Sequence, residues 1–179
     1  MIYSIGHGNK DIDVFINEIK SFNIKYLIDV RSKPYSKYNS QFNREALKTV
    51  LEGAGITYVF MGDTLGGLPS DKSCYIDGKV DYELIKEKDF FKEGLKRLLI
   101  AHEKNINVAI MCSESNPHDC HRSKLIGQEL FKNKVSMNHI ISSELCKGHV
   151  TVMNELNKGK NFIDLFENEK NYTSKKTYT

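Results

Sequence analysis

Five short runs of apolar, largely β-branched or aromatic residues, at 2–5, 26–30, 56–61, 108–112 and 137–141, alternate along the chain with segments of helical period. The runs are nearly continuous in hydrophobicity rather than alternating, the pattern of strands buried on both faces of a parallel sheet. Between the first two runs Ile12, Phe15, Ile16 and Ile19 recur at spacings of three and four behind Asp11, a residue able to cap a helix start. Further helices are predicted over 44–52, ending near Gly53 and Gly55, over 82–103, and over 120–131. Repeated βα units imply crossovers that cover both faces of one sheet. The expected fold is α/β, a single three-layer open doubly wound domain with a mostly parallel five-stranded sheet, spanning residues 1–166. A polar tail, 167–179, has little apolar surface to offset ordering entropy and is expected to fray.

At 179 residues, with 40% hydrophobic and 27% charged residues, the chain is long enough to bury a core without a staple. A net charge of +3 is too small to argue for nucleic-acid binding by itself. No run approaches the ~20 apolar residues of a membrane span, and the first strand begins at once without a leader-like segment, so a cytoplasmic protein is expected. In that compartment Cys74, Cys112, Cys120 and Cys146 are expected as reduced thiols.

In such a sheet ligands bind beyond the carboxyl ends of the strands, and the loops there carry the chemistry. After the first strand stands Gly6-His7-Gly8-Asn9, either a plain turn or a place for a general base, general acid or metal ligand. After the second, Asp29-Val30-Arg31-Ser32-Lys33-Pro34-Tyr35-Ser36 turns from apolar strand to a basic, hydroxyl-bearing loop suited to phosphate or carboxylate. A local Asp29–Arg31 salt bridge is the alternative. The loop runs on through Tyr38 to Asn43 and is aromatic enough to stack a base, or to pack on the sheet edge. After the third strand, Gly66 and Gly67 would let backbone approach a ligand.

The densest segment follows the fourth strand: Cys112-Ser113-Glu114-Ser115-Asn116-Pro117-His118-Asp119-Cys120-His121-Arg122-Ser123. Asp119 is placed to cap the next helix, which would put Cys120, His121 and Arg122 in a first turn suited to an anion. Three chemistries fit: Cys112 or Cys120 as a thiolate nucleophile, Glu114 as general acid/base, or Cys112, Cys120 and His121 holding a metal. The spacing C-x₇-C-H lacks the C-x₂-C step of zinc ribbons, and Arg122 follows Cys112 by ten residues where the cysteine-phosphatase cradle uses five. Elsewhere Cys74 reads as exposed in a polar insertion, Cys146 and His149 as packing residues opening a terminal helix, and His139 as a satisfied core histidine.

With these residues in view the chain resembles the family known as domain of unknown function 488. The likeness lies in Ile5-Gly6-His7, Asp29-Val30-Arg31-Ser32 with Pro34 and Ser36, Phe42-Asn43, Gly55-Ile56 with Tyr58, Leu65-Gly66-Gly67, Cys112-Ser113-Glu114 with Pro117, Cys120-His121-Arg122, and His139-Ile140. Ser113 stands where members of the family place Ala. The resemblance implies an α/β fold and a shared site, and it carries no reaction.

The expectation is an enzyme, hydrolase or transferase, acting on a phosphate-bearing substrate such as a nucleotide or nucleic-acid component. Arg31, Ser32, Ser36, Gly66, Gly67 and Arg122 would bind it. Glu114 and His7 would do acid/base work, with Cys112, Cys120 and His121 as nucleophilic or positioning groups. No cofactor is required, though a metal fits the last three. The alternatives are a non-catalytic nucleotide or nucleic-acid binding module and a thiol-based redox or sulfur-transfer protein.

Overall fold

A computed structural model describes residues 1–157 and 171–178. In chain order it runs β1 (Ile2–Gly6), α1 (Ile12–Ser21), β2 (Tyr26–Asp29), α2 (Arg44–Gly53), β3 (Thr57–Phe60), a hairpin of β4 (Tyr75–Ile76) and β5 (Lys79–Val80), α3 (Tyr82–Lys86), α4 (Asp89–Glu103) and β6 (Val108–Cys112). A π-helical stretch, Arg122–Gly127, then runs into α5 (Gln128–Lys132), followed by β7 (Met137–Ile140), β8 (Cys146–Gly148) and α6 (His149–Leu156).

The main sheet has the order β3-β2-β6-β1-β7-β8, parallel except for β8, which pairs antiparallel with β7. Its strands feed two cores by alternation. In β6, Val108, Ile110 and Cys112 face the layer of α4 and α5, with Phe91, Leu98, Leu125 and Leu130. Ala109 and Met111 face the layer of α1 and α2, with Phe15, Ile19, Leu47 and Leu51. That double burial is why the strands read as unbroken apolar runs. Fully burying Phe15, Phe91 or Leu47 contributes about 1.5–3 kcal/mol each.

The sheet has six strands rather than five, because Cys146–Gly148 adds an edge strand where a helix start was expected. The predicted helix over 82–103 is two helices. Ile85 and Phe91 are both buried in one core, and on a single helix of about 3.6 residues per turn they would point apart, so an extended Lys88 re-phases the chain between α3 and α4. Cys74 is fully buried rather than exposed. The insertion around it folds as a hairpin because Asp77 and Gly78 both take positive φ, 48° and 73°, as a tight two-residue turn demands. Asp11 precedes α1, but its side chain makes no capping bond.

Of the tail expected to fray, 167–170 and Thr179 lie outside the described residues, while 171–178 lies along this hairpin. Ser174 donates its N–H to the Val80 carbonyl at 2.9 Å and accepts the Val80 N–H on Oγ at 3.0 Å. Tyr178 N–H reaches the Gly78 carbonyl at 2.6 Å. Among the described residues no helix is long and apolar enough to cross a membrane.

The topology places a crevice. β1 leads by way of α1 to β2, on the far side of β6, whereas β6 leads to β7, on the far side of β1. These adjacent strands end level, with Gly6 opposite Cys112, and their connections diverge to opposite faces of the sheet.

Candidate active site

A cleft of about 490 Å³ opens at those two strand ends. His7, Arg31, Ser32, Ser36, Gly67 and Glu114 line it, together with Cys112, Cys120 and His121. Of the residues expected to bind substrate or do chemistry, Gly66 and Arg122 alone do not reach the lining.

The β1 end is held against the β6 loop by two backbone bonds, His7 N–H to the Cys112 carbonyl and Gly8 N–H to that of Ser113, both 3.0 Å. Gly6 is needed there: a Cβ would sit 2.0 Å from the Glu114 carbonyl oxygen. His7 is 2% exposed and stacks on Phe42 with centroids 4.3 Å apart. Its Nδ1–H donates to the Gly8 carbonyl at 2.8 Å, leaving Nε2 to accept from Arg31 Nη1 at 3.3 Å. Burial first, then the nearby Arg31 cation, bring its pKa down to about 4, so the ring is neutral near pH 7. With both nitrogens engaged, His7 holds Arg31 rather than standing ready to exchange protons.

Arg31 is the salt-bridged residue that the sequence left as an alternative. Its Nε and Nη2 fork onto Asp29 at 2.9 and 2.6 Å, and Nη2 also donates to the Phe42 carbonyl at 2.8 Å. Tyr58 completes the Asp29 shell with a 2.7 Å bond. Only Nη1 remains to face the cleft with a free N–H among the described residues. In the following loop Ser32 Oγ accepts the Leu68 N–H at 2.9 Å, and Ser36 Oγ accepts from Tyr38 and Asn39 at 3.2 Å. Tyr35 and Tyr38 are exposed, while Phe42 is core.

The glycine pair works by close approach. A Cβ on Gly67 would lie 2.8 Å from Cγ and Nδ1 of His121, so this backbone backs the imidazole. Gly66 sits behind the wall, packed on the Gly62 carbonyl and Ser32 Oγ.

The sulfurs of Cys112 and Cys120 and one ring nitrogen of His121 all lie within 4.8 Å of one another. His121 Nδ1 is 3.9 Å from the Cys112 sulfur and 3.6 Å from that of Cys120, and all three residues are buried in the cleft floor. Nε2 of His121 is buried without a partner among the described residues. A hydrogen bond to Cys120 and burial push the Cys112 thiol up. Burial opposes ionisation of Cys120 as well, but Cys112, Arg122 and His121 together outweigh it and hold that thiol well below the usual range.

Asp119 does not cap the following helix. Pro117–Asp119 forms its own turn, and the chain enters the helix through Cys120, whose carbonyl accepts the N–H groups of Ser123 and Lys124 at 3.1 and 3.2 Å. The Cys120 sulfur takes the capping place, receiving Arg122 N–H at 3.5 Å. Arg122 is 1% exposed and turned inward, not toward an anion in the cleft: Nε donates to Cys120 Sγ at 3.3 Å, Nη1 to Ser4 Oγ at 3.4 Å, and Nη2 to the Glu114 carbonyl at 2.6 Å. Glu114 itself keeps an exposed carboxylate at the rim.

A protein-family model described as Domain of unknown function DUF488 matches residues 11–128. The chain belongs to this family. The DUF488 match takes in Arg31, Ser32, Gly67 and the whole Cys112–Arg122 segment, while His7 and the tail residues lie outside it. Comparison with curated proteins and with solved structures finds no match.

Sequence reasoning missed one part of the cleft: Ser174, Lys175, Lys176 and Tyr178 also line it. Lys175 reaches Asp119 at 3.2 Å. No local pattern in the Asn-, Lys- and Thr-rich tail signals this, because its pairing with Val80 is set by tertiary structure.

Proposed function

We propose that the chain is an enzyme, a hydrolase or transferase, that takes a phosphate-bearing substrate such as a nucleotide or nucleic-acid component into the cleft at the ends of β1 and β6. The observation that carries this reading is the make-up of that one cleft. Four cationic side chains (Arg31, Lys33, Lys175 and Lys176) face two carboxylates (Glu114 and Asp119) around a floor of two thiols and an imidazole. Lys33 and Lys176 make no ion pair among the described residues and are the groups left to meet an anion. Arg31, oriented by Asp29 and His7, offers its remaining N–H beside them.

In this reading Glu114, the one exposed carboxylate beside the floor, is the general acid/base. Cys112, Cys120 and His121 form the reactive centre, and Arg122 positions Cys120 and the Glu114 loop. The test is turnover of a panel of nucleotides, sugar phosphates and short oligonucleotides, followed by mass spectrometry of the products. Glu114→Gln should lower kcat by about 10²-fold or more without loss of fold, and Lys33→Ala should raise KM. Unchanged turnover in Glu114→Gln and Cys112→Ser together overturns the assignment.

A second reading, thiol-based redox or sulfur-transfer chemistry, draws on the closeness of the two sulfurs. It requires Cys120 to alkylate rapidly below neutral pH in the protein as isolated, and Glu114→Gln to be without effect.

A further inference from the structure

Beyond its place in the cleft, the Cys112–Cys120–His121 cluster has the dimensions of a metal site. In a tetrahedral centre, with sulfur about 2.3 Å and nitrogen about 2.0–2.1 Å from the ion, neighbouring ligand atoms stand roughly 3.5–3.8 Å apart. The two sulfur-to-nitrogen separations at His121 are 3.6 and 3.9 Å, and the whole set fits within 4.8 Å. Thiolate, thiolate and imidazole are a donor set for Zn²⁺ rather than for Mg²⁺ or Ca²⁺, which select oxygen.

We infer that Cys112 Sγ, Cys120 Sγ and His121 Nδ1 bind one zinc-class divalent ion, with the fourth coordination position open to the cleft. Among the described residues no fourth cysteine, histidine or carboxylate joins the group. Three protein ligands and one vacant position make the arrangement of a catalytic site rather than a closed structural one. All three ligands line the cleft, which puts a water or a substrate atom within reach of that position.

The surrounding groups serve this ion. Cys120 receives two N–H bonds, from the Arg122 backbone and Nε, the kind of outer contacts that orient a metal thiolate. Arg122 is in turn fixed by Ser4 and the Glu114 carbonyl, which ties the sulfur to β1 and to the rim. Gly67, lacking a Cβ, admits the imidazole at this position, where a Cβ would lie 2.8 Å from Cγ and Nδ1. A metal-bound water, with its pKa lowered to about 7, would supply the nucleophile for the hydrolytic form of the proposed function. The inference rests on that reading only for what the fourth position does, since ion binding is measured without substrate.

The experiment uses the full chain, purified without chelator or a histidine tag. Elemental analysis should find zinc at one-to-one stoichiometry. Co²⁺ added to the chelator-stripped protein should give the thiolate charge-transfer and d–d bands of a tetrahedral site. Cys112→Ser, Cys120→Ser and His121→Asn should each abolish these bands, whereas Cys74→Ser and Cys146→Ser should keep them. If the buried variants fail to fold, protection decides: bound Zn²⁺ should slow alkylation of Cys112 and Cys120 in the wild-type chain at least tenfold, with Cys146 unaffected. Sub-stoichiometric metal, cobalt bands that survive loss of Cys112, or a Cys112–Cys120 disulfide formed at full rate with Zn²⁺ present would overturn the inference. Turnover that persists in stripped protein would remove the metal from the reaction and leave the proposed activity standing. One-to-one zinc without turnover of any phosphate-bearing compound would do the reverse.

Discussion

The Nε of Arg122 lies 3.3 Å from the sulfur of Cys120, and the two side chains are 1% and 2% exposed. The guanidinium is therefore an internal brace, linking the reactive loop to β1, and its removal strands several buried partners at once. Arg122→Ala should cost about 3 kcal/mol or more of folding stability, measured by urea denaturation. A change within about 0.5 kcal/mol would mean that the brace carries no load.

Two glycines separate a site effect from a backbone effect. A Cβ on Gly67 would meet the His121 ring at 2.8 Å, whereas one on Gly53, at the end of α2, would meet nothing within 4 Å. Gly53→Ala should stabilise the fold by about 0.5–1 kcal/mol. Gly67→Ala should displace His121 and lower ion binding or turnover by at least tenfold while leaving the fold in place. Equal behaviour of the two variants in ion binding would contradict this.

A buried relay contributes to the acid limit of the fold, alongside the buried, neutral His7. Arg122 can only donate, so Ser4 Oγ accepts from it at 3.4 Å and passes its own proton bond to His139 Nδ1 at 2.7 Å. His139 Nε2–H then donates to His149 Nδ1 at 3.2 Å, and His149 Nε2–H to Gln128 Oε1 at 3.1 Å. Each ring is neutral in this chain. Burial brings His149 down from 6.5 to about 4, and burial together with His149 and Arg122 also holds His139 well below its ordinary value. Between those two values the unfolded chain binds more protons than the folded one, so stability is full above about pH 6.5 and falls as the pH drops toward 4. The gap amounts to about 3 kcal/mol for His149. Urea midpoints at about pH 7 and about pH 4.5 should differ accordingly, by less in His149→Gln than in the wild-type chain, and a pH difference that is the same in both would contradict the neutral relay.

Charge at the rim is testable apart from chemistry. Binding of inorganic pyrophosphate should weaken as salt rises, and Lys33→Ala or Lys176→Ala should each weaken it and flatten the salt dependence. Lys20→Ala, on the exposed side of α1, should leave both unchanged. A loss of the same size from Lys20→Ala would show that the cleft has no special claim on the anion.

The five parallel strands were legible because burial on both faces keeps them mostly apolar, most completely in Val108–Cys112. β8 was not, since Cys-Lys-Gly on an antiparallel edge has no apolar period to read. The hairpin did carry a signal, Asp77-Gly78, a dipeptide suited to two consecutive positive φ angles, and the polar insertion around it obscured that cue. In the site, chemical density flagged the Cys112–Arg122 segment, and the βα order placed it near His7 and Arg31. The Asp29–Arg31 pair was readable as one of two alternatives. What no local pattern could show is Arg122 turned inward onto a sulfur, and lysines brought to the cleft from the far end of the chain.

Amide chemical-shift mapping of the isotope-labelled full chain, titrated with phosphate-bearing compounds, bears most directly on whether this crevice is where a substrate binds. Saturable shifts should concentrate at Ser32, Lys33, Gly67, Ser113–Ser115 and Lys175–Lys176, with α1 and α2 silent. Shifts confined to the α1–α2 face, or none with any phosphate compound up to millimolar concentration, would contradict it.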